Sequence, residues 1–307
     1  MPNFVIAGSA KSGTTALHYM LDRHPDVHMS EVKETNYFVH GFEQTLTLVD
    51  LKGRPMFAGV ADDDLIRTPD QYAGLFRADA RCNGEASPWY LLNPRVPERL
   101  VQHRADMKVV VMLRNPSDVA FANYLHQLRV DAEPLPMSSV EQILCETRYE
   151  QCNLHPFCRH LDIPHYARHL PPWTRLFGEA QLHVVVYEEF RADPDAELQR
   201  LFRFLGVNDD VTVSPRQQVN KSGLPRSAAL NQLIYRDNPL KRLVAALVPK
   251  KARRKARSRL ESWNTSAKPE LPHEVRAALD ARYTADVDYV EALLGRRIDA
   301  WHERRLA

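Results

Sequence analysis

The strongest constraint lies in the first fifteen residues. Phe4-Val5-Ile6-Ala7 is a short apolar run that meets Gly8-Ser9-Ala10-Lys11-Ser12-Gly13-Thr14-Thr15. An amphipathic segment follows, with Leu17, Met20 and Leu21 on one face. Two glycines separated by four residues, after a strand and opening a helix, form the frame of a phosphate-binding loop. Backbone N–H groups converge there on an anion, and the helix N-terminus adds favourable partial charge. Glycine is scarce here, 11 against 21 prolines, so a pair at this spacing carries weight. The usual nucleoside-triphosphate loop has lysine directly after its second glycine. Here Thr14 holds that place and the loop's lysine is Lys11. The pattern predicts a phosphate without a triphosphate tail; the competing reading is a turn that merely caps a helix.

Lys108-Val109-Val110-Val111-Met112-Leu113 is unbroken and β-branched, as a parallel strand buried on both faces should be. Arg114 ends it, Asn115 suits an N-cap, Pro116 the first helical position and Asp118 the first turn, predicting a helix to about Arg129. A third strand reads His183 to Tyr187, then a polar turn at Glu188-Glu189, then a helix opened by Asp193-Pro194 and stopped at Gly206. Strands alternating with helices predict an α/β fold: one P-loop-like domain with a central parallel sheet flanked by helices. Its expected extent is residues 1–307, with the basic segment 240–260 and C-terminal helices over 270–307 packed as part of it. The hundred or so residues between the first two strands read as mixed loops and helices. Arg114 stands at a strand's carboxyl end, where open α/β sheets bind ligands, and its fork suits a second phosphate. A surface salt bridge is the alternative.

In order and spacing these blocks resemble the sulfotransferases that use 3′-phosphoadenosine 5′-phosphosulfate (PAPS), bacterial and heparan-type members above all. K-S-G-T-T at Lys11 to Thr15 resembles the 5′-phosphosulfate loop, and V-V-V-M-L-R-N-P-S-D-V-A the 3′-phosphate segment. K-E-T-N-Y-F at Lys33 to Phe38 and G-E-A-S-P-W-Y at Gly84 to Tyr90 resemble two further recurring blocks. Tyr166, Leu170, Trp173 and Phe177 before V-V-V-Y-E-E-F, then D-P, F-L-G and a final L-L-G-R-R-I-D-A-W extend the likeness over nearly the whole chain.

The resemblance implies PAPS as co-substrate, 3′-phosphoadenosine 5′-phosphate (PAP) as product, no metal, and a sugar, lipid or other small-molecule acceptor. It places Lys11, Ser12, Gly13, Thr14 and Thr15 at the 5′-phosphosulfate and Arg114 at the 3′-phosphate. Glu34 becomes the general base, with Glu31 in reserve and His103 and His126 as weaker candidates. The family usually has serine eight residues after the strand-end arginine; here that position is Ala122. Ser117 and Asn123 are the nearby polar substitutes. Lys221 and Arg226, in N-K-S-G-L-P-R, lie where the family closes a loop over the nucleotide. Trp89 and Tyr90 line a pocket or belong to the core. The acidic V-V-V-Y-E-E strand end, which alone would suit magnesium in a nucleotide hydrolase, is implied to be structural. A P-loop kinase or hydrolase, and a non-catalytic nucleotide-binding protein of the same fold, remain the other classes.

Composition narrows the partners. The chain opens without a basic leader and apolar stretch, and its apolar runs are far shorter than the roughly 20 residues that span a bilayer, so a cytoplasmic location is expected. Four cysteines in 307 residues do not make a disulfide framework. Cys145, Cys152, His155, Cys158 and His160 are zinc-ligand types but lack a C-x2-C pair. The net charge of +2 suggests no nucleic acid but hides an asymmetry. Nine of the 41 basic residues fall within 241–259, which has no acidic one; the remaining 32 face 39 acidic residues. That segment is a solvated helix face, or it attracts an anionic acceptor or membrane surface. Acceptor identity is expected to reside in the insertions 43–81 and 131–165.

Overall fold

The fold is given by a computed structural model, which describes residues 1–40, 66, 68–131, 159–213, 223–235, 248 and 250–303. Its five strands are β1 (Phe4–Gly8), β2 (Val27–Met29), β3 (Cys82–Ala86), β4 (Lys108–Leu113) and β5 (Leu182–Val186). They pair in parallel in the order β2-β3-β1-β4-β5, with helices on both faces. β1, β4 and β5 fall where the apolar runs put them. β2 and β3 lie in the stretch read as loops and helices.

Successive side chains of a strand face opposite ways. Val5, Ala7, Val109, Val111 and Leu113 join one core with Tyr166, Trp173 and Trp301. Phe4, Ile6, Val110 and Met112 join the other with Leu17, Leu201 and Phe202. The register between β1 and β4 shifts after Ile6, and the Ser9 N–H donates to the Met112 carbonyl at 2.6 Å. The glycine loop therefore leaves β1 directly beside the end of β4.

The helix Thr14–Leu21 follows that loop, and the helix Pro116–Asp131 follows β4. Asn115 Oδ1 accepts from the Asp118 N–H at 3.3 Å, the expected cap. Asp193 caps the helix Pro194–Leu205 through the Ala196 N–H at 3.0 Å, and Gly206 ends it at φ 79°. The expected turn at Glu188-Glu189 is instead a helix, Tyr187–Ala192. Glu188 turns inward, accepting from the Asn115 N–H at 3.2 Å and the Trp301 Nε1–H at 2.8 Å. Both carboxylate oxygens thus anchor the C-terminal segment to the end of β4.

Val275, Leu279 and Tyr283, from the helix His273–Arg282 and the residue after it, pack on Phe121, Tyr124 and Leu125. The helix Lys250–Trp263 carries the described part of the basic segment; residues 241–247 and 249 lie outside the described residues. Its end is tied to the loop before the helix Ala228–Tyr235. The Arg226 N–H donates to the Asn264 carbonyl at 2.6 Å, and the Ser266 N–H to the Leu224 carbonyl at 2.8 Å. Among the described residues no helix is long and apolar enough to cross a membrane. Cys145, Cys152, His155 and Cys158 lie outside the described residues, as do most of the two acceptor insertions.

Candidate active site

Three segments lie at the carboxyl ends of strands: the glycine loop after β1, residues 30–38 after β2, and Arg114 after β4. Backbone conformation sets two of them apart. Among the described residues, three non-glycine residues have positive φ: Lys11 at 63°, Glu34 at 62° and Asn36 at 47°. The left-handed region costs an L-residue about 1–2 kcal/mol, and such strain gathers at functional sites. Lys11 and Glu34 are the two residues for which the motifs suggest chemistry.

In the glycine loop, Gly13 at φ 99° precedes the helix. A Cβ there would stand 2.8 Å from the Tyr187 ring, so glycine is required by conformation and by space. The N–H groups of Thr14 and Thr15 open the helix and have no carbonyl four residues back within it. Ser12 and Thr14 are buried, while Lys11 and Thr15 are half-buried.

Arg114 braces this loop. Its Nη1 donates to the Lys11 carbonyl at 3.3 Å and its Nη2 to Asp118 Oδ2 at 3.4 Å. The guanidinium lies over the Tyr187 ring, 4.8 Å from its centre. Tyr166 clasps the Arg114 backbone, donating to its carbonyl at 2.8 Å and accepting from its N–H at 3.3 Å. Asp118 also receives Arg276 Nη2 at 2.9 Å, so two arginines share one buried carboxylate. Nothing in the sequence pattern pointed to Arg276, which arrives from a helix 158 residues away.

The polar substitutes for the absent serine are placed less favourably. Ser117 Oγ donates to Asp280 at 2.5 Å, so its proton must leave that carboxylate before it can serve a phosphate. Asn123 is fully buried, and Ala122 is 4% exposed. Arg226 is exposed beside Asn264; Lys221 lies outside the described residues. Tyr90 belongs to the core, whereas Trp89 packs partly buried near Ala10. His103 meets the Phe38 and Tyr72 rings at 5.2 and 6.1 Å between centres, and Glu31 is exposed.

Glu34 is held at both ends. Its N–H donates to the Ala86 carbonyl at 2.9 Å, and Lys33 Nζ meets its Oε1 at 2.5 Å. Its carboxylate is 38% exposed, open to a reactant, while Lys33 is 16% exposed. Behind this loop stands a carboxylate that motif reading left unassigned. Glu85 is fully buried and accepts four hydroxyl hydrogen bonds, from Tyr90 at 2.6 Å, Ser87 at 2.7 Å, Thr35 at 2.8 Å and Tyr72 at 2.9 Å.

His18, on the helix after the glycine loop, is 4% exposed, and its Nδ1 has no hydrogen-bond partner among the described residues. Burial first, then the nearby Lys33 charge, lowers its pKa from 6.5 to about 4. The unfolded chain therefore takes up this proton at higher pH than the native chain. The stabilisation is complete above pH 6.5 and is lost as pH falls toward 4. Between pH 7 and pH 5 the wild type should lose about 2 kcal/mol more than His18→Gln in urea unfolding. Equal losses would mean that the imidazole is not sheltered.

The sulfotransferase domain family matches residues 1–289. The chain belongs to the sulfotransferase family. It is 27% identical to a solved sulfotransferase from Alicyclobacillus acidocaldarius, with a TM-score of 0.70 over 98% of this chain and 99% of that one. It is 26% identical over 213 residues to the bifunctional heparan sulfate N-deacetylase/N-sulfotransferase 2 of Bos taurus, 67% of this chain and 22% of that protein. It is 27% identical over 218 residues to the heparan sulfate glucosamine 3-O-sulfotransferase 3A1 of Mus musculus, 69% of this chain and 47% of that protein. The chain thus spans less than half the length of these curated relatives.

Proposed function

We propose that this sulfotransferase-family chain moves the sulfuryl group of PAPS to an acceptor hydroxyl on a glycan, lipid or other small molecule, with Glu34 as general base. One observation carries the reading: Lys11 and Glu34, the residues that motif resemblance alone selects for chemistry, both hold strained left-handed backbone, Lys11 in the loop after β1 and Glu34 bonded through its N–H to Ala86 at the end of the neighbouring β3. The nucleotide fits the donors present. A cradle of loop and helix-start N–H groups suits the 5′ end, and Lys11 with Arg114 supplies two positive charges. PAPS brings an activated sulfuryl group, so the protein's part is positioning and charge stabilisation.

The acceptor oxygen forms its bond to sulfur as the bond from sulfur to the 5′-phosphate oxygen breaks. Glu34 takes the acceptor proton. The departing electron pair stays on the PAP phosphate, where Lys11 and the helix N-terminus stabilise it. Two relatives are named for sulfation of heparan sulfate, which makes a glycan the first acceptor class to try.

Ligand-dependent melting tests the nucleotide. PAP at a hundred times its Kd, without magnesium, should raise Tm by about 4 °C. Greater stabilisation by ATP with magnesium would overturn the reading in favour of a kinase or hydrolase. Transfer of labelled sulfate from PAPS to fully desulfated heparin tests the glycan class, and fractions of lysate extend the search to other acceptors.

A further inference from the structure

Glu85 is the next-to-last residue of an otherwise small strand, Cys-Asn-Gly-Glu-Ala, and has no exposed surface. A carboxylate can accept about four hydrogen bonds. Here Oε1 takes the hydroxyls of Tyr72 and Tyr90, and Oε2 takes those of Thr35 and Ser87. Burial raises the pKa of Glu85, and the four hydroxyls act against that shift. An unexposed carboxylate is costly to keep in a core, and apolar residues would fill the same space more cheaply.

The partners show what this carboxylate holds. Thr35 is the residue after Glu34. Ser87 Oγ, while donating to Glu85, accepts the Asn36 N–H at 3.1 Å. Tyr90 Oη, likewise donating to Glu85, accepts the Phe38 N–H at 3.3 Å. With the Glu34 N–H on the Ala86 carbonyl, residues 34, 35, 36 and 38 are each fastened to the segment 85–90. Two of those four residues, Glu34 and Asn36, are in the left-handed region. Ser87 and Tyr90 donate toward Glu85 and so turn their lone pairs toward the loop. One buried anion orients the whole set.

We propose that Glu85 is a positioning residue for sulfuryl transfer: through Thr35, Ser87 and Tyr90 it fixes the left-handed loop that aims the Glu34 carboxylate at the acceptor. The inference rests on the reading of Glu34 as base. It assigns Glu85 no contact with either substrate.

Glu85→Gln and Thr35→Val, both near-isosteric, test it in the full chain. In Glu85→Gln an amide donor faces two hydroxyl donors; in Thr35→Val one fastening is lost beside Glu34. Both should cut kcat about ten- to a hundredfold, with the KM for PAPS and the Kd for PAP within about twofold. Deuterium uptake by amides 34–38 should quicken in both, while peptides from β1 and β4 stay protected. In a Glu34→Gln background, Glu85→Gln should cost little more, because both changes remove the same aimed base. Unaltered kcat and exchange in both variants overturn the proposal. So does an equal loss of kcat with and without Glu34, which would mark general destabilisation. Should Glu34→Gln itself keep full turnover, the base reading fails. Exchange at 34–38 then still decides whether Glu85 holds this loop.

Discussion

Glu34→Gln is expected to lower sulfate transfer by about a hundred- to ten-thousandfold, the usual worth of a general base. PAP should bind within about twofold of wild type, and Tm should scarcely change. The geometry separates these readouts. Glu34 reaches Lys33 and, through its N–H, Ala86; the glycine loop is braced from the other side by Arg114. Amide for carboxylate keeps the size and the backbone bond but removes the proton acceptor. A glutamate exposed at 38% that served only as a solvated loop carboxylate would show no such loss. Turnover within threefold of wild type would remove Glu34 as base. Glu31, three residues earlier, would then be the reserve base, ahead of His103 and His126.

How much of this was legible in the sequence depended on what each segment buries. β4 was readable because both its faces are covered, so every residue from Val109 to Leu113 had to be apolar. The helix after it announced itself through Asn115 and Pro116. β3 was not readable, although its five residues are equally buried, because Cys-Asn-Gly-Glu-Ala satisfies burial by other means. Asn83 bonds to the Arg77 backbone, Glu85 collects four hydroxyls, and Gly84 is small because a Cβ would stand 2.1 Å from the Phe4 ring. Those reasons are tertiary, and no local period records them. β2, three residues long, is below the length at which alternation shows. The same division runs through the site. Lys11 and Glu34 stand in local motifs. Arg276 and Tyr72 reach the site's supports from distant segments, and their roles exist only once the chain has folded.

Arg114→Lys is expected to weaken PAP binding by about ten- to a hundredfold while keeping the positive charge. The arginine now spans three partners at once, the Lys11 carbonyl, Asp118 and the Tyr187 ring. A lysine ammonium is a single point and cannot bridge the first two in that plane. Asp118 keeps Arg276 at 2.9 Å, so the variant does not strand a buried carboxylate and should remain folded. Two functions are folded into this one side chain, bracing the glycine loop and binding a 3′-phosphate, and paired ligands separate them. Adenosine 5′-phosphate shares the 5′ end but lacks the 3′-phosphate. If Arg114 binds that group, affinity for PAP should fall at least tenfold further than affinity for adenosine 5′-phosphate. Equal losses would reduce Arg114 to a brace for Lys11. The comparison matters more in this chain because Ala122 offers no hydroxyl and Ser117 is bonded to Asp280. With fewer neighbours to share the load, the arginine should carry a larger part of the nucleotide's 3′ recognition.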